Sequence, residues 1–242
     1  MKAKIFIGCS GFHYKHWKGI FYPEDLPQKK WFEFYGQHFN TLELNVTFYH
    51  FPEASVLKSW YDRSATDFKF SVKAPRVITH FKKFNAVDSL VREFYQNIEK
   101  GLNRKLGAVL FQLPPNYSYT ADHLDRILKC MNPDFNNVIE FRHVSWWNQE
   151  VYDAFRTEQL SFCGMSHPAF PNFLISTAPH FYYRMHGAEN LYASDYSSDE
   201  LDRFADKLKN EQGVRTEYIY FNNDINGFAI SNAKYLISKL TG

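Results

Sequence analysis

The sequence predicts a single (β/α)8 barrel, and three observations predict it. Strand-like and helix-like segments alternate from end to end, eight strands can be counted, and 242 residues is a length at which one such barrel closes. No linker, charge run, low-complexity stretch or solenoid-spaced repeat divides residues 1–242, so one domain is expected. An open doubly wound sheet is the runner-up. It should carry a Gly-rich phosphate fingerprint after its first strand, and Gly8-Cys9-Ser10-Gly11 does not match G-x-G-x-x-G.

Taken in order, Lys4–Cys9 reads as a short buried strand, and a loop rich in aromatics leads to a helix over Gln28–His38. Thr41–Thr47 alternates, with Leu42, Leu44 and Val46 on one face and Thr41, Glu43, Asn45 and Thr47 on the other. Pro52 opens a helix to Arg63, Phe68–Ala74 is a third strand with Lys73 on its polar face, and Asp88 caps a helix to Leu102. Gly107–Leu113 is the most apolar strand, with Gln112 its one polar side chain. A helix over Thr120–Cys130 precedes the strand Val138–His143. There Val138, Glu140 and Arg142 share one side, and Trp146 and Trp147 follow directly. A helix over Gln149–Glu158, a short strand Ser161–Met165 and an irregular Pro-containing loop Ser166–Pro179 come next. Phe181–His186 is a seventh strand, with Tyr182, Arg184 and His186 on one face. A charged helix Ser198–Lys209, an eighth strand Glu217–Asn222 and a helix Gly227–Leu240 complete the series.

Composition narrows the function classes. Aromatic residues make up 19% of the chain, enough to fill a core and still line a cleft. A formal charge of only +2 gives no whole-protein steering towards nucleic acid or an anionic membrane. No apolar run is long enough to span a bilayer, and the one near the N-terminus is too short for a signal peptide. Three cysteines, Cys9, Cys130 and Cys163, with no C-x-x-C, suit a reducing cytoplasm.

In a barrel the outward strand faces meet helices, and the inward side chains at the C-terminal ends line the active site. Parity therefore sends Glu43, Asn45, Lys73, Gln112, Glu140, Arg142, Arg184, His186 and Asn222 to one mouth. For any one of them a satisfied core polar group is the plain alternative; convergence from separate strands is harder to explain by packing, because an unpaired buried charge costs several kcal/mol. Lys73, Arg142 and Arg184 outnumber Glu43 and Glu140, so the mouth should attract an anion. The loops at His186-Gly187 and Asn222 to Gly227, including Asn223, with Gly227 opening the last helix, could present backbone N–H groups to a phosphate.

Glu140, Glu43 and His186 are the acid and base candidates, and a carboxylate beside Arg142 should stay ionised. A divalent metal on Glu43, Glu140, His186 and Asp224 is the rival use; no H-x-H or H-E-x-x-H spacing supports it, and none is favoured. Cys9 reads as a buried residue before it reads as a nucleophile. Tyr14, Trp17, Arg76, His80, Trp146 and Trp147 are candidate walls, stacking aromatics with cations that would suit a base, a sugar ring or a planar acid.

The segments GCSGFHYKHWKGIFYP, FNTLELNVTFY, FKFSVKAPRVITH, LGAVLFQLPP, VIEFRHVSWW, YYRMHG and YIYFNND resemble, in order, the signatures of the YecE-like family, domain of unknown function 72. Phe12 stands at the aromatic position of the first. The resemblance implies a (β/α)8 barrel and a soluble protein, and no established activity; Glu43, Asn45, Lys73, Gln112, Glu140, Arg142, Arg184, His186, Asn222 and Asn223 fall within its motifs. The expected function is therefore an enzyme that binds a small phosphate- or carboxylate-bearing substrate through Arg142, Arg184 and Lys73 and moves protons with Glu140 or Glu43 and His186. Hydrolysis, isomerisation and lyase chemistry stay open. A metal-dependent nucleic-acid phosphodiesterase or repair-type binder, and a non-catalytic binding module, are the alternatives.

Overall fold

The computed structural model describes residues 3–211 and 213–241. Its strands are β1 (Lys4–Ser10), β2 (Thr41–Leu44), β3 (Lys69–Lys73), β4 (Leu106–Gln112), β5 (Asn137–Glu140), β6 (Ser161–Phe162), β7 (Gly164–Ser166), β8 (His180–Met185) and β9 (Thr216–Phe221). All pair in parallel, in the order β6-β5-β4-β3-β2-β1-β9-β8-β7. The two ends of that sheet are consecutive in the chain: β6 and β7 are halves of the strand expected over Ser161–Met165, parted at Cys163. Across the seam the Ser161 hydroxyl donates to the His180 carbonyl. The ring is thus the predicted eight-stranded barrel, nearly closed, with one strand broken in two.

The helices are α1 (Trp31–Gly36), α2 (Val46–Tyr49), α3 (Ala54–Arg63), α4 (Asp88–Leu102), α5 (Ala121–Cys130), α6 (Gln149–Thr157), α7 (Ser198–Lys209) and α8 (Phe228–Thr241). Ile7, Leu42, Phe70, Val109, Ile139 and Ile219 point outward into the core shared with them. Their strand neighbours Ala108, Leu110, Val138, Tyr182, Tyr218 and Tyr220 fill the barrel interior with Cys163. A phenol buried that deeply needs a partner. Tyr220 Oη lies 2.5 Å from Thr41 Oγ1 and 2.9 Å from Ser71 Oγ, both on inward positions of neighbouring strands. Capping side chains start three of the helices: Thr120 for α5, Asn148 for α6, and a Ser197–Glu200 capping box for α7.

Several boundaries differ from expectation, four of them as follows. The strand Thr41–Thr47 stops at Leu44, because the Thr47 hydroxyl donates to the Leu44 and Lys73 carbonyls and turns the chain into α2. The strand Val138–His143 stops at Glu140, and His143 Nδ1 instead accepts from the Ser145 N–H in a short turn. Asp88 lies inside the first turn of α4 with Val87 at the N-cap, so it favours the helix dipole rather than capping. Gly227 precedes α8 in a short turn with φ +75.

Glu217, on the outward face at the end of β9 remote from the mouth, is buried and its Oε2 has no hydrogen-bond partner. Burial, and then Glu211, push its carboxyl up to about 7. Its folded-state value lies above that of an unfolded glutamate, so its contribution is fully present at low pH and is lost as pH rises through about 7. Glu217→Gln is therefore expected to leave stability unchanged at pH 4 and to raise it at pH 8 by on the order of 2 kcal/mol. Urea unfolding at the two pH values checks this, and an equal change at both would refute it.

Candidate active site

Alternation along each strand sends one polar side chain from nearly every strand to the C-terminal end of the ring. The hub is Arg184 in β8, which is 1% exposed. Its Nη1 donates to Glu140 Oε2 at 2.5 Å, and its Nη2 donates to Glu43 Oε1 at 2.7 Å and to Ser10 Oγ at 2.9 Å. Glu43 accepts further bonds from the Ser10 hydroxyl and, on Oε2, from the Tyr182 hydroxyl at 2.6 Å, while Asn45 Nδ2 donates to Ser10 Oγ at 2.8 Å. One guanidinium thus joins carboxylates from opposite sides of the barrel. Both carboxylates are fully buried, and such charges persist only when each oxygen is bonded.

Arg142 is the second cation on Glu140. Its Nε donates to Glu140 Oε1, and its Nη2 lies 3.0 Å from His186 Nε2. Because a guanidinium only donates, His186 Nε2 is the accepting nitrogen towards Arg142, and His186 Nδ1 lies 3.1 Å from Asn222 Nδ2. Burial, reinforced by Arg184 and Arg142, holds His186 well below the usual imidazole range, so it is neutral. Burial alone would raise Glu140, but Arg142 and Arg184 outweigh it and keep that carboxyl well below the carboxylate range. Lys73, at the end of β3, is lowered to about 8 by burial and then by Arg184.

Above this cluster opens a cavity of about 570 Å3. Of the expected residues, Glu43, Asn45, Lys73, Gln112, Arg142, Arg184, Asn222 and Tyr14 line it. Glu140 and His186 are fully buried and are not among its lining; they meet it through Arg142. Asn223 is placed elsewhere, its Nδ2 bonded to the Ser194 carbonyl and Asn232 Oδ1. Two expected walls prove to be core. Trp146 stacks on Phe141 at 4.0 Å and donates to the Tyr117 carbonyl, and Trp17 donates to the Asp224 carbonyl, so both indoles are satisfied and fully buried. Of the others, Trp147 stacks on Phe170, His80 meets Phe48 edge to face, and Arg76 lies over Tyr49 and Phe81. The N–H groups of Gly227 and Ala229 are taken by the Asp224 and Asn223 carbonyls, so these two amides are not open to a phosphate. Cys9 faces the helices, buried, with its thiol pushed far up by that burial.

Ser10 is not among the expected residues, though it bridges Glu43, Asn45 and Arg184. A signal for it exists: it extends the inward series Phe6, Gly8 by one more step. Tyr49, at the end of α2, and Tyr192, in a loop, also line the cavity where no periodicity marks them, as does Asp224, expected only as a metal ligand.

Around the cavity Lys73, Arg142 and Arg184 are matched by Glu43, Asp224 and the underlying Glu140, so the formal charges balance. Two buried polar atoms of lining residues, Asn45 Oδ1 and Arg184 Nε, have no hydrogen-bond partner among the described residues. Arg142 Nη1 likewise has none there. Among the described residues no group of three or more His, Cys, Asp and Glu is arranged to hold a metal ion. Glu43 and Glu140, the carboxylates a metal would need, are both held by guanidinium groups. No helix among the described residues is long and apolar enough to cross a membrane.

Comparison with known proteins gives concordant findings. The model of a family described as Protein of unknown function DUF72 matches residues 6–242. UPF0759 protein YunF of Bacillus subtilis (strain 168) is 25% identical over 98% of this chain and 94% of its own length. UPF0759 protein YecE of Escherichia coli (strain K12) is 32% identical over 46% of this chain and 41% of its own. The crystal structure of a DUF72 family protein from Thermotoga maritima MSB8 is similar at a TM-score of 0.88 and 27% identity, covering 99% of this chain and 100% of that one. A DUF72 family protein from Enterococcus faecalis V583, at 19% identity and a TM-score of 0.84, shares the fold.

Proposed function

The chain belongs to the DUF72 family, and on that premise we propose that it is an enzyme acting by acid–base chemistry on a small substrate bearing a phosphate or carboxylate. The observation that carries this reading is Arg142 Nη1, which belongs to a residue lining the cavity and has no acceptor among the described residues. A bound oxyanion would accept from Arg142 Nη1, and Asn45 Oδ1 would accept from a neighbouring hydroxyl of the same ligand. Glu43 is the proton-transfer group, because of the two clustered carboxylates Glu43 and Glu140 it is the one that lines the cavity. Glu140 and His186 are positioning residues that act through Arg142. The free cysteines Cys9, Cys130 and Cys163 support a cytoplasmic setting.

Arg142→Met tests this reading. Phosphate or a phosphorylated acid is expected to raise the melting temperature of the wild type, and the variant is expected to bind at least about tenfold more weakly, the value of one charge-assisted contact. Equal affinity in both proteins would mean that the anion is held elsewhere. With a substrate identified by screening, Glu43→Gln should lower kcat more than it changes KM.

A second reading, nucleic-acid binding, draws on Tyr49 and Phe81, which are 61% and 68% exposed with Arg76 over both rings. Binding of an oligonucleotide with a steep dependence on salt would favour it, and salt-insensitive binding would count against it.

A further inference from the structure

Buried lysines normally saturate their ammonium, and this barrel contains such a case for contrast. Lys105 donates to the Tyr61 carbonyl at 2.6 Å, the Ser64 carbonyl at 2.9 Å and Ser64 Oγ at 2.8 Å. Lys73 does not. It sits at the C-terminal end of β3 and lines the cavity, yet among the described residues its Nζ has neither a hydrogen-bond acceptor nor an ion-pair partner. Its Nζ lies over the face of Phe48, 4.2 Å from the ring centre. The two carboxylates nearby are already engaged, Glu43 by Arg184 and Glu140 by Arg184 and Arg142.

We propose that Lys73 is a nucleophilic amine that forms an imine with a carbonyl compound, specifically an aldehyde or ketone that also carries a phosphate or carboxylate. The inference rests on the anion reading above and names the substrate class within it. Arg142 takes the anionic end, which leaves the carbonyl to Lys73 across the same cavity. Two features suit the amine to the task. Burial disfavours its protonated form and, with Arg184, outweighs the opposing pull of Glu140 and Glu43, so that its lowering to about 8 leaves a usable fraction of free amine at neutral pH.

Atoms and electrons balance in this step. The lone pair of Nζ forms a bond to the carbonyl carbon. The carbonyl oxygen receives one proton from the nitrogen and one from solvent and departs as water. A protonated imine remains, and no oxidant or reductant is consumed. The cationic C=N then draws electrons from a bond to the adjacent carbon, which is what aldol cleavage, condensation or proton-transfer isomerisation requires.

Trapping with sodium cyanoborohydride at pH 7 tests the proposal, using pyruvate and dihydroxyacetone phosphate as probes on the full chain. The expected result is a single reduced adduct per chain, mapped by peptide mass spectrometry to Lys73 and about tenfold above any other lysine. Lys73→Met and Lys73→Arg, each checked for folding by circular dichroism, should both lose it. Adduct spread over surface lysines in wild type, or undiminished adduct in a folded Lys73→Met, would overturn the proposal. A parallel melting series with inorganic phosphate separates the two readings. A phosphate-induced rise without trapping removes the imine and keeps the anion site; trapping with no response to phosphate, and no loss of it in Arg142→Met, keeps the imine and removes the anion reading.

Discussion

Arg184→Met is expected to lower the stability of the fold by roughly 3 to 5 kcal/mol, because it leaves two fully buried carboxylates without their shared cation. Chemical denaturation at neutral pH measures it. The diagnostic part is the rescue. Adding Glu43→Gln to Arg184→Met removes the uncompensated charge, since Glu140 keeps Arg142, and most of the lost stability should return even though more hydrogen bonds have been deleted. If the double variant is less stable than Arg184→Met, Arg184 matters for its packing and not for its charge. Lowering the pH should partly rescue the single variant as well, since protonation then neutralises the same carboxylate.

Trp146→Ala should be comparably damaging, roughly 3 to 5 kcal/mol, through the cavity left against Phe141 and Tyr117 and the loss of the bond to the Tyr117 carbonyl. Trp146→Phe should recover part of that stability while leaving phosphate affinity untouched. A Trp146→Phe protein of wild-type stability with weakened binding would return the indole to the cavity wall.

These two residues also mark how far the amino-acid sequence by itself defines the site. Arg184 is legible because its strand alternates, and alternation assigns a face whatever the rest of the chain does. Its pairing is not legible: counting formal charges gives an attractive mouth, whereas the geometry bonds both Nη atoms of Arg184 to carboxylates and leaves the outward role to Arg142 and Lys73. Trp146 and Trp17 escape for a different reason. An aromatic after a strand looks the same whether it walls a cleft or plugs the rim, and the deciding fact is a carbonyl partner 29 positions away for one indole and 207 for the other. Ser10 lies one residue beyond the end that the apolar pattern gives to the first strand, and so escapes as well. Asn45 is legible although its strand ends before it, since the turn into α2 keeps its side chain on the inner side.

The closure of the ring has a consequence for how the chain reaches this state. β1 pairs with β9 in six register positions from Lys4 with Thr216 to Cys9 with Phe221, so the joint links residues more than two hundred positions apart. Such contacts form slowly, and they are the ones that bring Asn222 and Asp224 over Ser10 and Tyr14. Until β9 docks, β1 and β8 would each offer an open parallel edge to any other chain. Refolding yield should therefore fall with protein concentration, and the cavity at the mouth is among the last parts of the molecule to exist.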